Sequence, residues 1–463
     1  MPDAPQAAPF RPETAILSLG DDFYDPVKAA DFPQTILRFR NQRAAETVGL
    51  GDLDEAAWLR HFGRFEALPG SLEQPLALRY HGHQFRNYNP DIGDGRGFLF
   101  AQLRDADGRL LDLGTKGSGQ TPYSRFGDGR LTLKGGVREV LATEMLEALG
   151  VNTSRTFSLI ETGETLERND EPSPTRSAVL VRLNHGHIRI GTFQRLAFFQ
   201  QEDELRRLTD YCLIELYGDQ PGEDGPGRLL DHVVSGTARL AASYMAAGFV
   251  HGVLNSDNIN VTAESFDYGP WRFAKTWDPR FTAAYFDQQG LYAFGRQAEA
   301  ILWDVYQLAG TLALISPVEP LQAAVDAFPA RFEAAMRAAI LGRLGVKPKS
   351  EEDDLALMGV LESALMRGGV EIDRFFFDWA GGRRRGASPA DYSGEAFAGL
   401  EQALAGYEPS HPLDHPYWGD AVPCSMHIEE VEAIWARIAE ADDWSAFEAK
   451  VAAIRRMGEA MRG

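Results

Sequence analysis

A long apolar-periodic stretch, Leu229 to Ala247, is stopped by Gly248 and runs into His251-Gly-Val-Leu-Asn-Ser-Asp-Asn258, with Asp267-Tyr-Gly269 a short turn later. A helix ended by glycine delivers the polar loop after it to a fixed place. Asn258 and Asp267 are hard oxygen donors on either side of a loop-strand turn. That suits Mg²⁺, which takes few protein oxygens and keeps its waters and phosphates. An Asn-Asp turn followed by a solvent carboxylate is the bland alternative. The long helix and the complete His, Asn, Asp frame weigh against it.

The same frame occurs in protein kinases, where H-R-D-x-x-x-x-N precedes D-F-G and the Asn and second Asp hold the metal ions. His251, Asn258 and Asp267 fall in that register. Val253 stands where the kinase's catalytic Asp belongs, and an acid appears instead at Asp257. The metal ligands are kept and the usual base is lost. The site therefore reads as a kinase-like ATP site doing something other than ordinary γ-phosphoryl transfer.

The 463 residues suffice for two or three domains. A formal net charge of -21 argues against nucleic acid or an anionic membrane as the main partner. A polyphosphate must then be met by a local cluster of Lys, Arg and metal. Cys212 and Cys424 are too few for a disulfide scaffold or a four-cysteine zinc site, and read as two unrelated thiols. Residues 1–13 are Pro/Ala-rich without a leader-type apolar core, and no apolar run has transmembrane length. A soluble cytoplasmic monomer is expected.

Three regions are expected: an N-terminal extension over 1–75, a β-rich lobe with nucleotide loops over 76–190, and a mostly helical lobe with the metal and catalytic loop over 191–463. The fold class is α+β, a protein-kinase-like bilobal fold with an N-terminal extension and a helical C-terminal region. Strands are predicted at 97–103, 110–113 and 177–183, and a helix over 137–149. Further helices are predicted at 298–315, within 318–370 and within 428–461. The Gly, Pro, Arg and Ser content of 380–420 reads as a loop.

Other motifs are weaker alone. Gly93, Gly95 and Arg96 lie in a glycine-rich run that could approach a phosphate, although G-D-G is also an ordinary turn. Gly114 to Gly119 lacks P-loop spacing. However, Lys116 follows a strand and Glu139 lies on the next helix, the order of the kinase Lys-Glu pair. Asp128 and Gly129 form a second G-D-G, a hairpin or a loop over a nucleotide. Arg182 and Arg189 could clamp a polyphosphate, or be salt-bridged to acids. His81/His83 and His185/His187 could supply a tetrahedral zinc set, but no general base or open position accompanies them.

Taken together these residues resemble the selenoprotein O family of protein adenylyltransferases, which are pseudokinases. The resemblance rests on Gly82-His-Gln-Phe85, Gly93-Asp-Gly-Arg96, Gly114 to Gly119, Thr121-Pro-Tyr-Ser-Arg125, Gly127-Asp-Gly-Arg130, Arg138-Glu139, His187 to Phe193, His251 to Asn258, Asp267-Tyr-Gly-Pro270 and Tyr292-Ala-Phe-Gly295. It spans roughly 15–300 and is weak beyond. His81, Arg86 and Lys134-Gly-Gly136 depart from the family pattern. The resemblance implies ATP bound flipped relative to kinases, with AMP (or UMP from UTP) transferred to Ser, Thr or Tyr hydroxyls of protein substrates. It implies Mg²⁺ or Mn²⁺ as cofactor. Gly93, Gly95, Arg96, Lys116, Asp128, Gly129, Arg182, Arg189 and Asp267 become nucleotide contacts, Asp257 the proton acceptor, and Asn258 and Asp267 the metal ligands. Lys116 would pair with Glu139. The competing readings are a kinase, which Val253 opposes, and an ATP-binding scaffold, which has no need of both metal ligands and an acid.

Overall fold

Leu110–Lys116 and Thr175–Asn184 are buried along almost their whole length, because the sheet they form is covered on both faces. The computed structural model describes residues 8–169, 171–386 and 388–463. The leader reading of residues 1–13 therefore lies partly outside the described residues, as does Ala387 of the 380–420 segment.

In chain order the strands of the first lobe are β1 (Pro12–Glu13), β2 (Tyr24–Pro26), β3 (Ile36–Arg40), β4 (Leu76–Leu78), β5 (Gly82–Gln84), β6 (Asn87–Asn89), β7 (Leu99–Arg104), β8 (Leu110–Lys116), β9 (Leu131–Thr132), β10 (Arg155–Leu166) and β11 (Thr175–Asn184). The β5–β6 hairpin stands apart. The others form one nine-stranded sheet in the order β2-β4-β7-β8-β11-β10-β3, with β1 on β7 and β9 on β11. The central pairs β7–β8, β8–β11 and β11–β10 are antiparallel.

Side chains alternate between the two faces of this sheet. Leu110, Leu159, Ala178 and Leu180 pack with the helix α3 (Leu133–Ala148). Leu111, Leu113, Phe157, Val179 and Val181 pack on the other face with Trp58 and Phe62. Those two aromatics come from α2 (Glu55–Gly63), which follows the short α1 (Gln42–Glu46). Trp58 stacks on Phe157 at 4.9 Å, and its indole N–H donates to Ser158 Oγ at 2.9 Å. The first 75 residues thus supply strands to the sheet and cover for its second face.

The rest of the chain is helical: α4 (Ile190–Phe198), α5 (Glu202–Tyr211), α6 (Gly225–Ala247), α7 (Gln297–Leu312), α8 (Val318–Asp326), α9 (Phe328–Leu344), α10 (Glu351–Arg367), α11 (Ile372–Asp378), α12 (Leu400–Leu404), α13 (Ile428–Ala441) and α14 (Ser445–Arg462). Helix α6 is the buried mast of this lobe, ended by Gly248 in the left-handed region at φ 69°. It leads through β12 (Phe249–Val250), paired with β13 (Arg272–Phe273), into the loop that carries His251 to Asp267. The last helix returns to the first lobe. Arg455 of α14 forms a bidentate pair with Glu144 of α3, both contacts at 2.7 Å. No helix of the described residues is long and apolar enough to cross a membrane.

Candidate active site

Between the sheet and the helical lobe lies a cleft of about 880 Å³. Gly93, Gly95, Arg96, Lys116, Asp128, Gly129, Arg182, Arg189, Asp257, Asn258 and Asp267 all line it. Residues spread from position 93 to position 267 therefore meet in one place.

The centre is Asp267, in the left-handed backbone region at φ 57°, which Asp tolerates better than most residues. Arg182 Nη1 donates to Asp267 Oδ1 at 2.5 Å and Arg189 Nη1 to Oδ2 at 3.0 Å. Lys116 Nζ stands 3.8 Å from Oδ1. Burial alone would push this carboxyl up. The charges of Arg182, Arg189 and Lys116 outweigh it and hold Asp267 well below the usual carboxylate range. Lys116, the last residue of β8, also pairs with Glu139 Oε2 of α3 at 2.5 Å, with both side chains buried.

Arg189, just before α4, lies between the rings of Tyr80 and Phe266, 4.4 and 4.7 Å from their centroids. It also donates to the Asp257 carbonyl oxygen at 2.9 Å and to Asp94 Oδ1 at 3.2 Å. The Nε atoms of Arg182 and Arg189 are buried with no hydrogen-bond partner among the described residues. Both side chains line the polar cleft, and two guanidinium groups side by side there suit an anion.

Asp257 is the counterpart of Asp267. Gly82 and Gly191 let the β5–β6 hairpin and α4 close upon it. A Cβ at Gly82 would lie 2.9 Å from Asp257 Cβ, and one at Gly191 would lie 2.1 Å from His81 O. Asp257 Oδ1 is buried without a hydrogen-bond partner among the described residues. Burial raises this carboxyl to about 6, with Arg189 partly offsetting the rise. Two carboxyls of one cleft are thereby pushed apart, the pattern that separates a proton acceptor from a permanent anion. Asn258 donates its amide N–H to Val253 O at 3.1 Å, so its amide oxygen remains for a cation.

Residues 8–391 match the family described as protein adenylyltransferase SelO. The chain belongs to the SelO family. The Gloeobacter violaceus protein nucleotidyltransferase YdiU is 44% identical to it over 96% of this chain and 95% of that protein. The protein of the same name from Synechococcus elongatus is 47% identical over 79% of this chain and 74% of that one. The match to 391 reaches beyond residue 300, where the sequence motifs fade. Among solved structures, the kinase domain of a Toxoplasma gondii rhoptry antigen is 13% identical with a TM-score of 0.28, covering 57% of this chain and 84% of that one. So loose a likeness carries no conclusion about this chain.

Around the SelO cleft, the glycine runs serve packing as much as openness. A Cβ at Gly93 would come within 2.5 Å of the Tyr123 ring, and one at Gly97 within 2.0 Å of Thr115 O. The 121–130 loop is thus laid directly on the 93–97 loop. Asp128 of that loop is paired with Arg168 at 2.7 Å. Three of the four histidines of the zinc alternative make other contacts. His81 Nδ1 meets Tyr88 OH at 2.7 Å, His83 Nδ1 accepts from Gln194 at 2.6 Å, and His187 Nδ1 lies 3.1 Å from Asp112. Among the described residues no three His, Cys, Asp or Glu converge to hold a metal. His251 is structural: its backbone N–H donates to Gln297 Oε1 at 3.0 Å, and its Nε2 meets Phe266 O at 3.0 Å.

One acid of the site and one buried outside the cleft lining escaped the sequence reading. Asp94, in the middle of the first G-D-G, is buried and accepts from Leu78 N and Arg189. Asp304 of α7 is buried with neither carboxylate oxygen hydrogen-bonded among the described residues. Its signal was available, since it shares a helix face with the buried Ile301, Val305 and Leu308.

Proposed function

We propose that this SelO-family enzyme transfers AMP from ATP to Ser, Thr or Tyr hydroxyls of proteins, with the nucleotide flipped relative to a kinase. The observation that carries this is Asp257, a dry carboxyl with a base-like pKa of about 6, beside a residue 253 that is Val where a kinase needs its acid. The acceptor oxygen bonds to the α-phosphorus as the bond from that phosphorus to the α–β bridging oxygen breaks. Pyrophosphate leaves, and the hydroxyl proton passes to the Asp257 carboxylate. The leaving group carries high charge, which the Lys116, Arg182 and Arg189 cluster is placed to bind. Their carboxylate partners keep the three cations ordered in the absence of nucleotide.

Asn258 and Asp267 would hold Mg²⁺ or Mn²⁺. One amide oxygen and one carboxylate make the sparse set such an ion accepts when phosphates complete its shell. Bound there, the ion supplies charge neutralisation of the polyphosphate. Gly93, Gly95, Arg96, Asp128 and Gly129 would contact the nucleotide, Asp128 after release from Arg168.

Mass spectrometry of modified protein tests the reading. An AMP adduct formed with ATP and absent in Asp257→Ala supports it, and a phosphate adduct refutes it. A UMP adduct in preference to AMP when both nucleotides are supplied would change the donor and not the chemistry.

A further inference from the structure

A second cleft, of about 950 Å³, opens beside the first and shares Arg96, Lys116, Gly269 and Pro270 with it. One part of its lining is basic in a chain whose formal net charge is -21. Lys134 and Arg138 come from the start of α3, Arg272 from β13, and Lys275 from the segment after β13.

These cations are only partly neutralised. Lys134 at 2.7 Å and Arg138 at 3.6 Å share the one carboxylate of Glu432. Lys275 meets Glu429 at 3.3 Å, where both side chains are exposed and the pair is weak. Arg272 makes no ion pair among the described residues, and its Nη1 donates to Trp271 O. Burial and the neighbouring Arg272 charge push Arg138 down to about 10. Tyr285, 87% exposed, and Phe286 line the same cleft edge-to-face at 5.1 Å.

We propose that this groove docks the acceptor and selects hydroxyls carried on acidic polypeptide segments. The proposal rests on the nucleotidyl-transfer reading above. A segment lying along the groove reaches Gly269-Pro270, where the two clefts merge, so its hydroxyl can pass from there into the first cleft, which Asp257 lines. Carboxylates flanking the hydroxyl find Arg272, Lys275 and Arg138, and the exposed aromatic pair offers apolar contact. Nucleic acid fits less well. The basic stretch is short, Glu429 and Glu432 interrupt it, and the net charge repels a phosphate backbone.

The test uses the full chain with Mg²⁺ and an ATP analogue whose α–β bridge cannot be cleaved. Fluorescence anisotropy compares a short Asp/Glu-rich peptide with one central Ser, its Lys/Arg-rich counterpart, and a single-stranded RNA of similar length. The acidic peptide is expected to bind roughly 10-fold tighter than the basic one at low salt, a gap that closes as salt rises. Lys275→Glu and, separately, Arg272→Glu should erase or reverse that preference and leave nucleotide affinity unchanged. With ATP, the acidic peptide should take α-phosphate label, and Lys275→Glu should raise its KM without changing kcat. Equal binding of the two peptides, tighter binding of RNA, or preferences untouched in both variants overturns the docking proposal even where proteins still become labelled. Acidic-peptide binding with no α-label on peptide or protein overturns the transfer reading, and with it the groove's role as an acceptor site.

Discussion

Asp257 and Asp267 share one cleft and ionise in opposite directions, one raised by burial to about 6 and the other held down by three cations. A base must be unprotonated to work, so the transfer rate should rise with pH through about 6 and then level. Asp257→Ala should keep Mg-ATP binding in calorimetry and lose about 10² to 10⁴ in rate. A variant at wild-type turnover would remove Asp257 from the chemistry. Asp267→Ala behaves differently, because it strips the shared carboxylate from Arg182, Arg189 and Lys116. The Asp267 side chain is 21% exposed and its pairs are only partly buried, so the loss should cost on the order of 1–3 kcal/mol, and this variant should melt lower without nucleotide as well as lose metal-dependent binding. An unchanged melting temperature would show that the cations find other partners. Asp304 supplies a stability test. Burial raises its carboxyl well above the ordinary value, and the Asp257 charge adds to this. The folded chain then holds a proton that the unfolded chain releases near pH 4, so stability falls as pH climbs from there through the folded-state pKa. Asp304→Asn should melt higher than wild type at pH 8, with the gap narrowing toward pH 4. A constant gap would contradict the assignment.

Helices with apolar faces were legible as elements, and so was the stop of α6 at Gly248, but where they begin was not. Helix α3 begins at Leu133, ahead of the periodic residues, because Thr132 Oγ1 accepts from Gly135 N at 3.1 Å. Gly136 looks like a helix breaker, yet a Cβ there would press within 2.4 Å of Leu159, so the glycine allows α3 to sit close on the sheet. Strand β10 carried no apolar alternation to read. Its Thr156, Ser158 and Thr162 are buried, and Thr143, Trp58 and Ser177 satisfy them. The strands of the first 75 residues are at most five residues long, too short for periodicity to show. The tie between α14 and α3 was also invisible, because Arg455 and Glu144 lie 311 positions apart. That tie braces the helix holding Glu139 against Lys116. Arg455→Ala leaves Glu144 buried without its bidentate partner and should cost on the order of 1–3 kcal/mol in denaturant unfolding. A cost near zero would mean that Arg43 and Asn41, at 3.5 Å each, are partners enough.

At the scale of the whole molecule, the motifs that named the site were readable because each kept its order along the chain. The way they converge was not, since it depends on which strand neighbours which. The docking groove likewise belongs to no single motif, being made by α3, β13 and the segments near α13. Neither cysteine takes part in the cleft. The Cys212 thiol is fully buried and pushed up by burial, and burial pushes Cys424 up to about 11. Thiols so disfavoured as thiolates are poor redox switches. Transfer should be unchanged by dithiothreitol, and a large change lost in Cys424→Ser would contradict this. The most direct measurement concerns which phosphorus moves. Purified chain, Mg²⁺ and an acceptor are incubated with ATP labelled at either the α or the γ position, and both the protein and the released product are followed. The account predicts label on protein from the α position only, with pyrophosphate released in equal amount. Label from the γ position with ADP as product would make this a kinase despite Val253, and would contradict the account.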